Sequence, residues 1–413
     1  MSTSRARVSK EISVTFVRKL SHPSYVTVRL MKRGRKEKSH DTSTSSTRLR
    51  QGGDINLPLD LMVEILKKLP AKSLLRFRCV SKLWSSIISR SRDFIDSMVT
   101  RSLTEPPRDA HIIDDFGAGN YKKCYLAFSS STFPRNTNEV SVLLMPERME
   151  QYIRGLILCW SISRNKAAIY NPTTRQCFNL PDTKIKGIGS CFFGYDPLGN
   201  QYKALYIPLN YMEHVCQVFT LGDPTATQWR SIQGVKSHFP MASVVCINGV
   251  IYYRAINADA TSEYKLMSFD VRWEKFYHVE APKTLMDHPS ILINYQGKLG
   301  FVCCEEGIEI WVMENANKET TQGWSMIFFY EMEGFKRWRI LGATRGSEIV
   351  FVQPGYLSSD KLWVLYYDPK QNSMRYVDLK GTYPEEKRGY TSTIIWSALD
   401  YVDNTMCLYQ AIS

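Results

Sequence analysis

The sequence predicts a mainly β protein with an N-terminal all-α module, and three observations carry that prediction. From about residue 120 onward, short runs of β-branched and aromatic residues alternate with turn clusters. Turn glycines followed by apolar strands recur there at a spacing close to 50 residues. Ahead of them, "LPLDLMVEILKKLPAKSLLRFRCVSKLW" at 57–84 places apolar residues at helical intervals.

The chain opens on a basic segment. Residues 1–50 hold 13 Lys/Arg against 3 Asp/Glu, a net of +10. Of the whole chain's +13 this leaves +3 for the other 363 residues, so the folded part is nearly neutral. A basic groove for nucleic acid is therefore not expected there. The segment is rich in Ser and Thr and contains "MKRGRKEK", Met31–Lys38. It reads as a disordered, solvated tail, with a nuclear-localisation or polyanion-binding patch and an organellar transit peptide as open alternatives. Glu11 and the lack of a sustained amphipathic pattern speak against the last.

The 44% hydrophobic and 12% aromatic content suits a globular protein with a sizeable core. No run of about 18 apolar residues exists, so no membrane partner is expected. Ten cysteines are scattered without a CxxC pair, and Cys303 and Cys304 are adjacent. There is no secretory apolar region and no N-x-S/T acceptor. Reduced cysteines in the nucleus and/or cytoplasm fit this pattern.

The helical module follows, over residues 51–95. Pro58 suits a helix first turn, where its missing N–H removes no bond. Asp60 and Glu64 place negative charge near the positive end of the helix dipole. Leu61, Ile65, Leu66 and Leu69 form one apolar stripe, and Pro70 ends the helix by disfavouring helical backbone before it. A second helix is expected from Ala71 to about Val80, carrying Leu74, Leu75, Phe77 and Val80. Ser81 is the expected N-cap of a third, which carries Trp84, Ile87 and Ile88. So many large apolar side chains, each contributing about 1.5–3 kcal/mol when buried, exceed what three short helices can cover themselves. An unpaired stripe implies either a partner or the following domain.

In order, spacing and residue type, "LPLDLMVEILKKLP" and "AKSLLRFRCVSKLWSSIIS" resemble the F-box. The resemblance implies a three-helix module that docks on the Skp adaptor of Skp–cullin–F-box ubiquitin ligases. It carries family contacts onto Leu57, Pro58, Leu61, Ile65, Leu66, Leu69, Pro70, Leu74, Leu75, Val80 and Trp84. Lys67 and Lys68 stand where many relatives have one basic residue, and both are expected to face solvent. Residues 96–112 follow as a linker, and the stretch 91–99, with Phe94, Ile95 and Met98, is expected to form a bridging helix.

The β region is expected to span 113–405, with 406–413 as a C-terminal end. "INGVIYY", "YQGKLGFVC" and "RGSEIVFV" place turn glycines at 249, 297 and 346, which are 48 and 49 residues apart. A second pattern joins an aromatic to an Asx turn: "YNPTTRQCF", "YDPLGNQY", "FDVRWEKF" and "YDPKQNSM". An Asx side chain caps the backbone and a following proline fixes φ, so each copy reads as an outer hairpin. About four strands per 50 residues is the period of a kelch-type β-propeller blade, whose bare faces are covered only by packing in a ring. A β-sandwich or irregular antiparallel domain is the alternative. Most units have one glycine where a kelch blade has two. Inner strands beginning near Ile153, Cys191, Val244, Ile291, Ile340 and Thr391 give six blades, with one either way as the margin. "STIIWSALDYV" is expected to close the ring against "YLAFSSS" or "EVSVLLM". "GLILCW", "IYNPTTRQ" and "FFGYDP" resemble the plant F-box-associated domain, over roughly residues 110–405.

Catalytic patterns are missing. The seven histidines show no HExxH or HxH spacing, and "GAG" at 117–119 precedes no GK[ST]. No catalytic residue, metal or cofactor is expected. The resemblance implies a non-catalytic substrate receptor of a ubiquitin ligase. Its expected partners are the Skp adaptor, a cullin-based ligase core and an unidentified target protein held by propeller loops. Candidate loops are 210–214, 315–322 and 354–360. A kelch-like propeller enzyme and a Skp-binding scaffold that never meets a cullin remain the alternatives.

Overall fold

The structure, a computed structural model, describes residues 13–15, 25–31, 55–114, 122–130, 141–145, 149–161, 164–185, 187–209, 215–223, 225–234, 238–257, 263–287, 290–304, 307–314, 323–331, 338–352, 363–379 and 394–408. It divides into two compact units, Met1–Phe94 and Ile95–Ser413.

In the first unit, the reading of residues 1–50 as disordered does not cover β1 (Ser13–Thr15) and β2 (Tyr25–Met31). β2 pairs antiparallel with β1 and with β3 (Ile55–Pro58). Val26, Thr27 and Val28 give β2 the β-branched content that favours extended backbone. Pro58 is the N-cap of α1 (Leu59–Lys67), and Pro70 that of α2 (Ala71–Phe77). α2 stops short of Val80, because the N–H groups of Cys79 and Val80 turn back to the carbonyls of Arg76 and Phe77. Ser81 Oγ accepts from the Trp84 N–H at 3.1 Å and starts α3 (Lys82–Arg90), as the sequence predicts. Phe77 and Trp84 meet edge to face at 5.4 Å. α4 (Arg92–Thr104) outruns the predicted stretch 91–99 and continues the chain into the second unit.

Among its described residues the second unit holds six four-stranded antiparallel sheets. β4 (Arg108–Asp114), β5 (Lys122–Ser130) and β6 (Ser141–Met145) begin it. β7 (Met149–Ile153), β8 (Leu156–Ser161), β9 (Lys166–Asn171) and β10 (Gln176–Asn179) form the next sheet. β11 (Gly189–Asp196), β12 (Gln201–Pro208), β13 (Val215–Leu221) and β14 (Arg230–Gln233) follow. Then come β15 (His238–Ile247), β16 (Val250–Asn257), β17 (Tyr264–Asp270) and β18 (Lys275–Val279). After α5 (Lys283–Asp287) lie β19 (Ser290–Tyr295), β20 (Lys298–Cys303), β21 (Ile308–Met313) and β22 (Trp324–Tyr330). β23 (Arg339–Ala343), β24 (Ile349–Val352), β25 (Trp363–Asp368) and β26 (Ser373–Asp378) make the last consecutive sheet.

The final strand, β27 (Ile394–Ala398), returns to pair with β4. The return reaches the first sheet, but through β4 rather than "YLAFSSS" or "EVSVLLM" directly. β5 is paired on both sides, by β4 and β6, so it offers β27 no edge; of the two free edges, on β4 and on β6, the strand takes the one on β4.

Each sheet buries apolar side chains against the next. Leu158, Trp160, Tyr206 and Phe219 fill the space between the sheets of β7–β10 and β11–β14. Phe192, Ile251 and Phe269 continue into the following sheet, then Leu266 and Phe301, then Ile310 and Phe351. Val350 and Tyr366 pack with Leu399, and Ala110, Ala398 and Tyr401 pack with Met149 and Ile157. The succession thus ends where it began. This is a β-propeller, in which every sheet covers a face its neighbour leaves bare.

Turn chemistry explains the hairpins. Asn171, Asp196, Asp270 and Asp368 each accept, through Oδ1, the N–H of the residue two positions on. Three close outer hairpins as predicted. The "YDPLGNQY" copy instead joins β11 to β12, the first two strands of its sheet. Gly249 and Gly297 take positive φ, but at the third predicted turn Ser347, not Gly346, occupies the left-handed region.

Gly155 has φ +87°, and a Cβ there would lie 2.5 Å from the Asn404 Cβ and 2.9 Å from the Val402 carbonyl. Gly155→Ala combines left-handed strain with overpacking against backbone, so it should cost about 2–4 kcal/mol. A urea titration checks this; an unchanged midpoint would refute the close packing of the C-terminal segment on this turn.

Candidate functional site

In α1 successive residues turn by about 100°, so Leu61 and Ile65 share one face and Met62 and Leu66 the adjacent one. The structure separates the two faces sharply. Met62 and Leu66 are buried, whereas Leu61 is 53% and Ile65 49% exposed. Leu59, Pro58 and Pro70 are exposed beside them.

Of the residues assigned to the docking face by resemblance, these four (Pro58, Leu61, Ile65 and Pro70) are open. Leu69, Leu75 and Val80 are half-buried. Leu66, Leu74 and Trp84 are buried as the chain stands. They form the module's interior, because they take the inward side of the same helical period. Leu57 lies in β3, and its side chain is outside the described residues. Lys68 faces solvent, and Lys67 pairs with Glu64 at 2.9 Å on the surface. The exposed leucine and isoleucine therefore make an apolar strip rimmed by charge, a geometry for binding another protein.

The second unit presents its hairpin ends on two opposite faces, since all its sheets are antiparallel meanders. The strand ends flanking 210–214 and 354–360 join second to third strands and share one face. Those flanking 315–322 join third to fourth strands and lie on the other. All three candidate loops fall outside the described residues. On the 315–322 face, Asp96 of α4 accepts from Tyr195 at 2.9 Å and pairs with Arg154 at 2.5 Å. This ties Asp96, the first residue of the expected linker, to the β7–β8 and β11–β12 turns.

A buried polar relay escaped the sequence reading. The Tyr366 hydroxyl donates to Asp109 Oδ2 at 2.8 Å and meets His111 Nε2 at 3.0 Å. Because that hydroxyl proton is spent on Asp109, His111 donates from Nε2 and accepts at Nδ1 from Ser397 Oγ, 2.8 Å away. Burial, reinforced by Arg375, pushes His111 down to about 3, and burial lifts Asp109 to about 6. Serine, histidine and carboxylate thus occur in nucleophile order. His111, however, is fully buried and held neutral, in the seam where β27 meets β4 and β25 lies alongside. The arrangement satisfies buried polar groups at the closure. Its one trace in the sequence is the alternation of Asp109 and His111 in β4.

Among the described residues, no group of three or more His, Cys, Asp or Glu is placed to hold a metal ion. The nine described cysteines are all free, and burial raises the Cys177 and Cys246 thiols to about 11. Among the described residues, no helix is long and apolar enough to cross a membrane.

Comparison with known proteins places these features among relatives. The profile of the F-box domain matches residues 55–96, and that of the F-box associated beta propeller domain matches residues 119–402. Putative F-box protein At1g32420 of Arabidopsis thaliana is 55% identical over 303 residues, covering 70% of this chain and 99% of its own. Putative F-box protein At5g50220 of the same plant is 48% identical over 387 residues, covering 92% and 100%. Among solved structures, a chain from a nidogen/laminin complex aligns over 71% of this chain and 99% of its own, with 12% identity and a TM-score of 0.42.

Proposed function

The chain belongs to the F-box proteins that carry an F-box associated beta propeller domain, and on that premise we propose that it is the substrate-recognition subunit of a Skp–cullin–F-box ubiquitin ligase. The observation that carries this reading is the strip of Leu61 and Ile65, half exposed on a helix whose other face is core. An F-box implies a Skp-type adaptor, and this strip is the surface such an adaptor would complete. Leu57, Leu69, Leu75 and Val80 would border it.

The propeller, read as six blades of kelch-like kinship, would hold a target protein. The receptor itself performs no covalent step. It raises the local concentration of target lysines near a ubiquitin-charged enzyme and makes their encounter nearly intramolecular. The cullin core is reached through the adaptor. The nucleus and/or cytoplasm would be its compartment, in keeping with the free thiols of the nine described cysteines.

Leu61→Asp combined with Ile65→Asp tests the docking face. Both sites are half exposed, so the fold should survive with an unchanged circular-dichroism melt. Burying two carboxylates in an apolar interface should weaken capture by the Skp adaptor by about 3 kcal/mol, over 100-fold. Wild-type affinity in that double variant would remove the face from the proposal. Probing the captured adaptor for cullin then distinguishes a ligase subunit from a scaffold.

A further inference from the structure

Among the described residues β22 is the outermost strand of its sheet, and it differs from most other outer strands in ways that matter for an unpaired edge. It is seven residues long, Trp324–Tyr330, against four to six in β6, β10, β14, β18 and β26. β14, β18 and β26 carry Arg230, Lys275 and Arg375, the kind of charge that keeps an edge from pairing. β22 carries none, and no proline; the same holds for β6 and β10, which are only five and four residues long. Met326, Ile327 and Phe329 stand 50%, 44% and 47% exposed along it.

A bulge explains how these residues come to face outward. The register with β21 shifts so that Ile327 has no opposite residue. On one side of the bulge Trp324 packs with Phe301; on the other Phe328 packs with Tyr367 of the next sheet. Both neighbouring cores are thereby served, and the middle of the strand is left apolar and open.

Charge narrows the occupant. The described residues of this hairpin, 307–314 and 323–331, include Glu309, Glu314 and Glu331 and no Lys, Arg or His. Glu314 stands beside the start of the edge and Glu331 at its end. A second copy of this chain, docked edge to edge and antiparallel, would set Glu331 against Glu314 at both ends. We propose that the β22 edge is a docking strand for an extended segment of a partner protein that alternates basic with apolar residues. Main-chain hydrogen bonds would add it to the sheet, while its apolar side chains cover Met326 and Phe329 and its basic ones meet the glutamates. This goes beyond the receptor reading and does not require the adaptor.

The test uses the full chain without adaptor and two fluorescein-labelled nine-residue peptides, one alternating Lys with Val and one alternating Glu with Val. Fluorescence anisotropy should show saturable binding of the Lys–Val peptide and at least about tenfold weaker binding of the Glu–Val peptide. Met326→Lys with Phe329→Lys should weaken the former about tenfold or more at an unchanged melting temperature. Glu314→Lys with Glu331→Lys should transfer the preference to the Glu–Val peptide. Equal binding of both peptides, no binding of the Lys–Val peptide, or indifference to both double variants would overturn the proposal. So would a concentration-dependent dimer abolished by the first variant, which would assign the edge to a second copy. Adaptor capture by the same variants stays at wild type in either case, so the two readings fail separately.

Discussion

A chain ended at residue 393 is expected to lose the cooperative unfolding of its β unit. The cut removes β27, leaving β4 with a bare edge, and with it the segment 399–408. That segment is more than a trailing end. Asn404 is fully buried; its side chain donates to the Arg154 carbonyl at 2.9 Å, and its own carbonyl accepts from Asn171 at 3.0 Å. Val402 and Leu408 are buried, Leu408 within the core between the β7–β10 and β11–β14 sheets. These two side chains alone contribute about 3–6 kcal/mol. Tyr401, Ala398 and the relay around His111 come on top, against a typical total of about 5–15 kcal/mol. Differential scanning calorimetry should show no two-state transition for the truncated chain. A synthetic peptide of residues 394–408 should restore one in part. A normal melt without the peptide would mean that β27 and this segment do not close the propeller.

The second large effect is a pH dependence whose sign depends on which half of the relay is present. His111 has its pKa lowered from 6.5 to about 3, by burial first and by Arg375 second. Between those values the unfolded chain binds a proton that the folded chain does not. Stability is therefore lost as pH falls from 6.5 toward 3, by about 5 kcal/mol in full. Asp109 has its pKa raised from 3.8 to about 6, chiefly by burial. Here the folded chain holds the extra proton, so stability grows by about 3 kcal/mol as pH falls from 6 to 3.8. Asp400, also raised by burial, acts in the same sense. In the wild type the two slopes oppose each other between pH 6 and 4. Asp109→Asn should expose the histidine alone, with a urea midpoint that drops steeply on acidification. His111→Phe should reverse that slope. Parallel pH profiles for the two variants would show that the relay does not titrate as described.

Local chemistry was legible from residue order. Ser81 caps α3, Pro58 marks the start of α1, Pro70 separates α1 from α2, and four Asx residues close four turns, because each depends on atoms within a few positions of itself. The period near 50 likewise announced repeated sheets, and the expected inner-strand positions fall in or beside β7, β11, β15, β19, β23 and β27. The docking face was only half legible. Helical spacing puts Leu61, Ile65, Leu66 and Leu69 on one broad stripe, and which part turns inward depends on what α2 and α3 bring against it.

The amino-acid order by itself determined the helical module and the repeated four-stranded units. Only the folded arrangement decided that β27 returns to β4, that Ser397, His111, Tyr366 and Asp109 meet across 289 residues of chain, and that β22 keeps an open edge. The reason is that turns and caps are short-range, whereas edges, seams and buried charges exist only once distant strands have been brought side by side.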